Sequence, residues 1–292
     1  MLQRFGGSWT EEKLGIVEAY LREYVKILPG RGLRFAYIDA FAGTGYSDLP
    51  VSDLDPEHLL FEELSDSDTR AFLEGSAIRA LRIEPSFNKY IFIEKSEAKI
   101  EQLRSRINAL NIDSSKIEYR PGDCNKILQE ICKKDWGKHR AVLFLDPFGM
   151  QVNWETVCAI ARTKAIDLWI LFPCGAGVNR MLPANGNVSP SWANRLNLVF
   201  GDDGWRNAFY QSDPQQDLFA QQDTIQKSAN PESIGLYYNR KLSTIFAGVA
   251  RNPRAMRNSR DYVMYQLMFA ASNPNAVSPA VKIAEHLLRQ IK

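Results

Sequence analysis

Short apolar runs alternate with amphipathic stretches through the first 172 residues, and this alternation restricts the possible folds more than any other feature of the chain. The apolar runs are "LRFAYIDAF" (33–41), "KYIFIEK" (89–95), "KIEYRPGD" (116–123), "AVLFLDPF" (141–148) and "AIDLWILF" (165–172). They read as buried strands. Between them lie the helical stretches "SAIRALRI" (76–83), "SEAKIEQLRSRINAL" (96–110), "CNKILQEICKK" (124–134) and "NWETVCAIARTK" (153–164). Strands joined through helices pair in parallel, and their sheet is covered on both faces. The expectation is an α/β fold in a single domain spanning 1–292.

Helices and strands also flank this block. Ser8 and Glu11 have the spacing of a capping box, and Leu14, Val17, Leu21, Tyr24 and Leu28 then recur at helical intervals until "PGRG" (29–32) stops the pattern. At the other end, "YVMYQLMFAAS" (262–272) reads as a long strand followed by the amphipathic helix "SPAVKIAEHLLRQI". Two segments break the alternation. Residues 46–74 hold nine Asp or Glu, all between 48 and 74, against the single Arg70; residues 175–260 begin with a stretch rich in Asn, Gln, Ser and Pro. Insertions of this kind sit at the ends of a parallel sheet, so 46–74 is expected as an acidic insertion and 175–260 as a cap on the substrate side.

The bulk composition excludes several classes of protein. A chain of 292 residues can bury a sizeable core, and 45% hydrophobic with 24% charged residues is ordinary for a globular protein. The four cysteines, Cys124, Cys132, Cys158 and Cys174, have no metal-ligand spacing and suit a reduced, cytoplasmic setting. The start "MLQRFGGSWTEEK" has no apolar middle of a leader, and no run approaches the roughly 20 apolar residues of a membrane span. His58, His139 and His286 are scattered, no metal site is expected, and no G-x-S-x-G elbow is present.

The first strand carries the chemistry. "YIDAFAGTGYS" (37–47) ends an apolar run on Asp39 and breaks into a turn of Ala42, Gly43, Thr44 and Gly45. In a doubly wound sheet, ligands sit at this point, outside the carboxyl end of the first strand, and glycines let a ligand press against backbone. An ordinary strand-to-helix turn is the plain alternative. A nicotinamide site would need a third glycine where Asp48 stands, with an acid about 20 residues further on. A phosphate-clamping loop would need Lys-Ser or Lys-Thr after the glycines, and none follows. What remains is a ligand compatible with a carboxylate before the turn, such as the amino group and sulfonium of S-adenosylmethionine.

Three further strand candidates also end on acids. Glu94 can accept both hydroxyls of a ribose, because a carboxylate has two acceptor oxygens. Asp123, with the Cys124 backbone beside it, can take an adenine amino group. Asp146 opens "DPFG" (146–149), where Pro147 stiffens the turn and Phe148 either offers a stacking face or joins the core. Four consecutive strands ending in an acid would gather all four on one edge of the sheet. Elsewhere, Arg251, Arg254, Arg257 and Arg260 form a cluster that can contact phosphates or can be a solvated connection between two strands.

With "DAFAGTG", "FIE", "PGD" and "LDPFG" in this order, the chain resembles class I S-adenosylmethionine-dependent methyltransferases. Adding "WTEEKL", "EGSAIRAL", "RLNLVFGDDGW" and "YVMYQLMFAASNP", it is similar more particularly to the three-Cys-motif partner family of bacterial proteins. The resemblance implies a Rossmann-like, seven-stranded methyltransferase sheet, mostly parallel, with "YVMYQLMFAAS" as an antiparallel strand inserted beside the fifth. It implies cofactor contacts at Asp39, Phe41, Gly43, Gly45, Glu94 and Asp123, and the reading of the residues adds Ala42, Cys124 and Asp146 as cofactor-binding candidates. The resemblance supplies a fold and a cofactor more than a substrate; the reading of the residues adds methyl transfer to an acceptor positioned by Asp146, Pro147 and Phe148, with nucleic acid favoured on Phe148 and the arginine cluster. A protein carrying three cysteines is an implied partner; the cysteines here are not that motif. One departure stands out: amino-group methyltransferases place their aromatic residue where Gly149 lies, and Phe148 comes one residue early. That weakens the case for methylating a base amino group. The competing function is a module that keeps the cofactor fold and serves a partner without transferring methyl groups.

Overall fold

The computed structural model describes residues 8–27, 32–44, 75–110, 112–212 and 225–289. The acidic 46–74 segment and Gly45 lie outside the described residues. The alternating elements form as the spacing requires: α1 (Ser8–Ile27), β1 (Arg34–Asp39), α2 (Ser76–Leu81), β2 (Lys89–Glu94), α3 (Glu97–Ala109), β3 (Ile117–Pro121), α4 (Cys124–Cys132), β4 (His139–Leu145), α5 (Trp154–Arg162) and β5 (Ile166–Phe172). Side-chain caps set two of the helix starts. Ser96 accepts from the Lys99 amide ahead of α3, and Asp123 accepts from the Lys126 amide ahead of α4, each satisfying a donor that the first turn leaves free.

The sheet is Rossmann-like, with strand order β3-β2-β1-β4-β5-β10, where β10 is Val263–Ala271. The first five strands are parallel, and β10 runs antiparallel beside β5, as expected for the late apolar run. The far edge of β10 carries two short segments, β8 (Gly248–Val249) and β9 (Arg254–Arg257), both antiparallel to it. Val249 pairs with Ala270 and Arg254 with Leu267, so residues 250–253 face only 268 and 269 of β10. β8 and β9 are thus one strand position interrupted by a two-residue excess. Pro253, which has no amide to donate to a ladder, lies in the interruption. Eight strands therefore fill seven positions.

Alternate residues of each strand face opposite layers. Tyr37, Phe92, Phe144 and Trp169 pack under α1, α2, α3 and α9 (Val277–Arg289). Ile38, Ile93, Leu143 and Ile170 pack under α4, α5, α6 (Pro190–Phe200), α7 (Trp205–Phe209) and α8 (Pro231–Ser243). The expected cap at 175–260 is divided by this arrangement. Its helices α6, α7 and α8 build much of the second helix layer, where Tyr238 of α8 stacks on Phe172 with ring centroids 3.9 Å apart. Residues 248–257 belong to the sheet itself. A small ribbon of β6 (Tyr210–Ser212) and β7 (Ile225–Lys227) stands apart from the main sheet. Among the described residues, no helix is long and apolar enough to cross a membrane.

α1 runs antiparallel to the five parallel strands and in the same direction as β10, with Trp9 beside Tyr265 and Tyr20 beside Phe269. Tyr20 lies within 5.4 Å of Trp169 and 4.8 Å of Phe269, ring to ring, and its hydroxyl donates to the buried Asp167 at 2.9 Å. The chain after β5 is equally constrained. The Gly175 and Ala176 amides both donate to the Met264 carbonyl at 3.0 Å, and a Cβ at Gly175 would stand 1.9 Å from the Val263 carbonyl oxygen. Backbone cannot yield there as a flexible side chain would. Gly175→Ala is expected to cost about 1–3 kcal/mol of unfolding free energy; an unchanged denaturant midpoint would mean that β10 shifts freely.

Candidate functional site

The carboxyl ends of β1, β2 and β4 form one edge, and β10 presents its amino end to it. Asp39, the last residue of β1, pairs in register with Phe92 and Phe144, so Glu94 and Asp146 each stand two positions further along their strands. The four acids of the sequence reading thus gather at this edge, and each has its own surroundings.

Asp39 is fully buried. It accepts from the Tyr37 hydroxyl and the Phe41 amide, both at 3.2 Å, and from Ser76 at the start of α2. Burial nevertheless raises its pKa to about 6, with the nearby Asp146 adding to the rise. The carboxylate therefore shapes the turn from inside. Glu94 is buried too. One oxygen accepts the Gly43 amide at 3.2 Å and the other the Ser96 amide at 3.0 Å, tying the glycine turn to the loop after β2. Four lone-pair directions serve these two bonds, so acceptor capacity for a diol is left. The turn is held further by the Ala42 amide on the Ile93 carbonyl and by Arg106 on the Thr44 carbonyl at 2.7 Å. Gly43 has φ +57, and a Cβ there would meet nothing within 4 Å, so among the described residues its face is open. Phe41 is half-buried against the core and Ala42 is buried.

Asp123 is exposed and gives one oxygen to the Lys126 amide at the start of α4. Cys124 beside it is buried, and burial pushes its thiol up to about 12, which makes it a packing residue and no nucleophile. In the 146–149 turn, Pro147 is buried while Phe148 is 44% exposed, so the ring is not a core residue.

Asp146 has a partner that the sequence reading did not identify. The Lys13 ammonium of α1 forms an ion pair with it, and the lysine side chain is only 8% exposed. Lys13 also lies over the Trp9 ring at 5.3 Å, and Trp9 stacks on Tyr265 of β10 at 5.5 Å. Burial, reinforced by the Asp146 charge, holds the Tyr265 hydroxyl well above the ordinary tyrosine range. A signal for Lys13 was present in the sequence. Residues 10, 13, 17, 20 and 24 lie on one helical stripe, which places a lysine on the packed face.

The arginine cluster is partly consumed internally. Arg254 pairs with Glu12 at 2.6 Å, and Arg257 with Glu232 at 3.3 Å and Asp261 at 3.6 Å. Arg251 and Arg260 are exposed. All four cysteines are free thiols.

No protein-family model matches this sequence, and no curated protein matches it. Solved structures similar to it include a Legionella pneumophila protein designated DUF519, at 12% identity and a TM-score of 0.49 over 97% of this chain and 92% of that one. A putative S-adenosylmethionine-dependent methyltransferase from Listeria monocytogenes is 11% identical, covering 87% of this chain and 97% of that one, with a TM-score of 0.37. The O-methyltransferase TomG from Streptomyces achromogenes, solved with S-adenosylmethionine, is 10% identical over 87% and 79%, with a TM-score of 0.41. At these identities and scores, nothing about the chemistry of this chain follows from them.

The ion pair and the buried acid each give an expected outcome. Lys13→Met leaves Asp146 without its cation and is expected to cost about 1–3 kcal/mol. Adding Asp146→Asn should recover much of that loss, and strictly additive single effects in denaturant unfolding would show that the pair does not couple. Asp39 holds its proton more tightly when folded, so its contribution to stability is full below pH ~4 and is lost as pH rises through about 6. Asp39→Asn should therefore gain thermal midpoint relative to the unaltered protein between pH 4 and 8; a constant offset across that range would refute the shift.

Proposed function

We propose that this chain is an S-adenosylmethionine-dependent methyltransferase whose cofactor lies across the carboxyl edge of β1, β2 and β3. The observation that carries the reading is the Gly43 turn: open in front, left-handed, and tied through its amide to Glu94. These features fit an adenosine-bearing ligand: backbone free of side chain for close approach, and a carboxylate beside it with lone pairs left for a ribose. Asp123 and the Cys124 backbone at the start of α4 suit the adenine, and Phe41 and Ala42 would form the floor. Asp39 serves by fixing the turn. When bound, the cofactor supplies an electrophilic methyl group on a sulfonium.

The rest of the chemistry falls to the chain's own residues. Methyl transfer needs the acceptor atom held in line, and positioning supplies most of the acceleration. Asp146 would orient the acceptor, Pro147 would stiffen the turn that carries it, and the exposed Phe148 would offer an aromatic face against which a planar acceptor can lie. Nucleic acid is the favoured acceptor class on that ground, with Arg251 and Arg260 the exposed cations of the arginine cluster.

A second reading draws on the Lys13–Asp146 pair. With its carboxylate neutralised from α1, the fold suits a module that binds the cofactor and acts with a partner protein, such as one carrying the three-cysteine motif, without transferring methyl groups. Transfer of labelled methyl groups from the cofactor to cellular nucleic acid or protein separates the two.

Cofactor binding is tested by thermal-shift titration with S-adenosylmethionine, S-adenosylhomocysteine, NADH and ATP. A ligand at ~100 times its dissociation constant adds about 2.7 kcal/mol, equivalent to about 4–5 °C at this chain length. The first two ligands should give that shift and Glu94→Ala should lose it; a shift from NADH alone would replace the reading with a nicotinamide site.

A further inference from the structure

The opposite edge of the sheet holds a second candidate site. The loop "KKDWGKHR" (133–140) leads into β4, and "RTK" (162–164) leads from α5 towards β5. Together they carry six Lys or Arg and one acid, Asp135. The two loops, with Asn273 and Asn275 beyond β10, enclose a groove of about 500 Å³ lined by Lys134, Trp136, Arg140, Arg162 and Lys164. β4 has seven residues, so the groove lies about 20 Å from Asp146.

The electrostatics of this groove are unbalanced. Lys134, Arg162 and Lys164 are exposed, and among the described residues none of the three makes an ion pair. Asp135 turns one oxygen back to the Gly137 amide at 2.9 Å. Arg140 is a fixture of the wall: one terminal nitrogen donates to the carbonyls of Trp136, Gly137 and His139 at 3.1, 3.2 and 2.6 Å. Its Nε is buried and has no hydrogen-bond partner among the described residues. Trp136 is anchored by its indole N–H on the Ile131 carbonyl at 3.2 Å and stays half-exposed along the groove. The cations still outnumber the acids near them, Asp135 in the groove wall and Glu118 within electrostatic reach of Lys134, and an anion laid among the cations relieves the remaining repulsion.

We infer that this groove binds the phosphate backbone of a single-stranded nucleic acid. Its volume far exceeds a phosphate ion, its cations are spread along two loops, and an aromatic ring lies among them. A basic track with an aromatic face is the usual arrangement for holding a single strand without reading its sequence. The inference stands on charge and shape at this edge and does not use the cofactor reading.

The test is fluorescence anisotropy with a labelled oligo-uridine of about 16 nucleotides, at about 50 to 200 mM salt, with no cofactor present. The protein should bind it, with affinity falling steeply as salt rises. Lys134→Glu, Arg162→Glu and Lys164→Glu together should weaken binding more than tenfold and reduce the salt slope by about 2, since each phosphate contact on a single strand contributes roughly 0.7. The matching triple change to Gln guards against misfolding and should give a smaller loss at an unchanged thermal midpoint. Arg251→Glu with Arg260→Glu reports on the acceptor site proposed above and should lower affinity less than the Lys134, Arg162 and Lys164 change. Equal affinity in both triple variants, or no binding by the unaltered protein, would overturn the assignment. So would loss of binding confined to the Arg251/Arg260 variant. Displacement of the strand by ATP as effective as by unlabelled strand would reassign the groove to a mononucleotide.

Discussion

Parallel, in-register pairing of β1 between β2 and β4 is the constraint on which the rest of this molecule depends. Once Asp39 is level with Phe92 and Phe144, every strand-ending acid falls at the same edge, and the glycine turn must open beside Glu94. A register slip of one residue would turn every side chain of β1 to the other layer, exchanging the Tyr37 face for the Ile38 face. Both faces are buried, so such a slip would also exchange two differently shaped cores. The geometry of the candidate site is therefore fixed by packing well away from it.

α1 acts as a strut across this sheet. Its middle is held by Tyr20, through ring contacts and the bond to Asp167, and its first turns deliver Trp9, Glu12 and Lys13 to the carboxyl edge. The Lys13 ammonium answers Asp146 and the Glu12 carboxylate answers Arg254 of β9. One helix thus neutralises charges from the fourth strand and from the interrupted edge strand. Asp39 is sealed beneath the turn instead, and burial, with the Asp146 charge adding to it, raises its pKa. The two edges of the sheet consequently differ in character, with Asp39 and Glu94 buried and Asp146 paired on one and, among the described residues, an excess of cations over acids on the other.

Much of the fold was legible because local pattern and tertiary need agreed. Five apolar runs became the five parallel strands, and the late run became the antiparallel strand beside the fifth. The division of 175–260 between a helix layer and the sheet was not legible in the sequence for a definite reason. Composition reports polarity, whereas α6 and α8 bury one face only, and β8 and β9 are too short to show a period of two. Among the candidate site residues, Asp39, Glu94, Asp123 and Asp146 stand out in the sequence because each follows a strand-like run. Lys13 was passed over because a single charge on an apolar stripe is ordinarily a residue whose head reaches water.

The sequence alone determined the α/β class, the sheet's parallel core, the glycine turn and the acids that end its strands, since each rests on short-range chemistry. It also contained the two basic loops, although nothing local joined 133–140 to 162–164. Only the tertiary structure decided that Asp39 is sealed within the turn, that Asp146 is paired by a helix 133 residues away, and that the two loops meet in one groove. Which charges are buried, paired or left facing one another depends on which distant segments meet, and chain order does not record that.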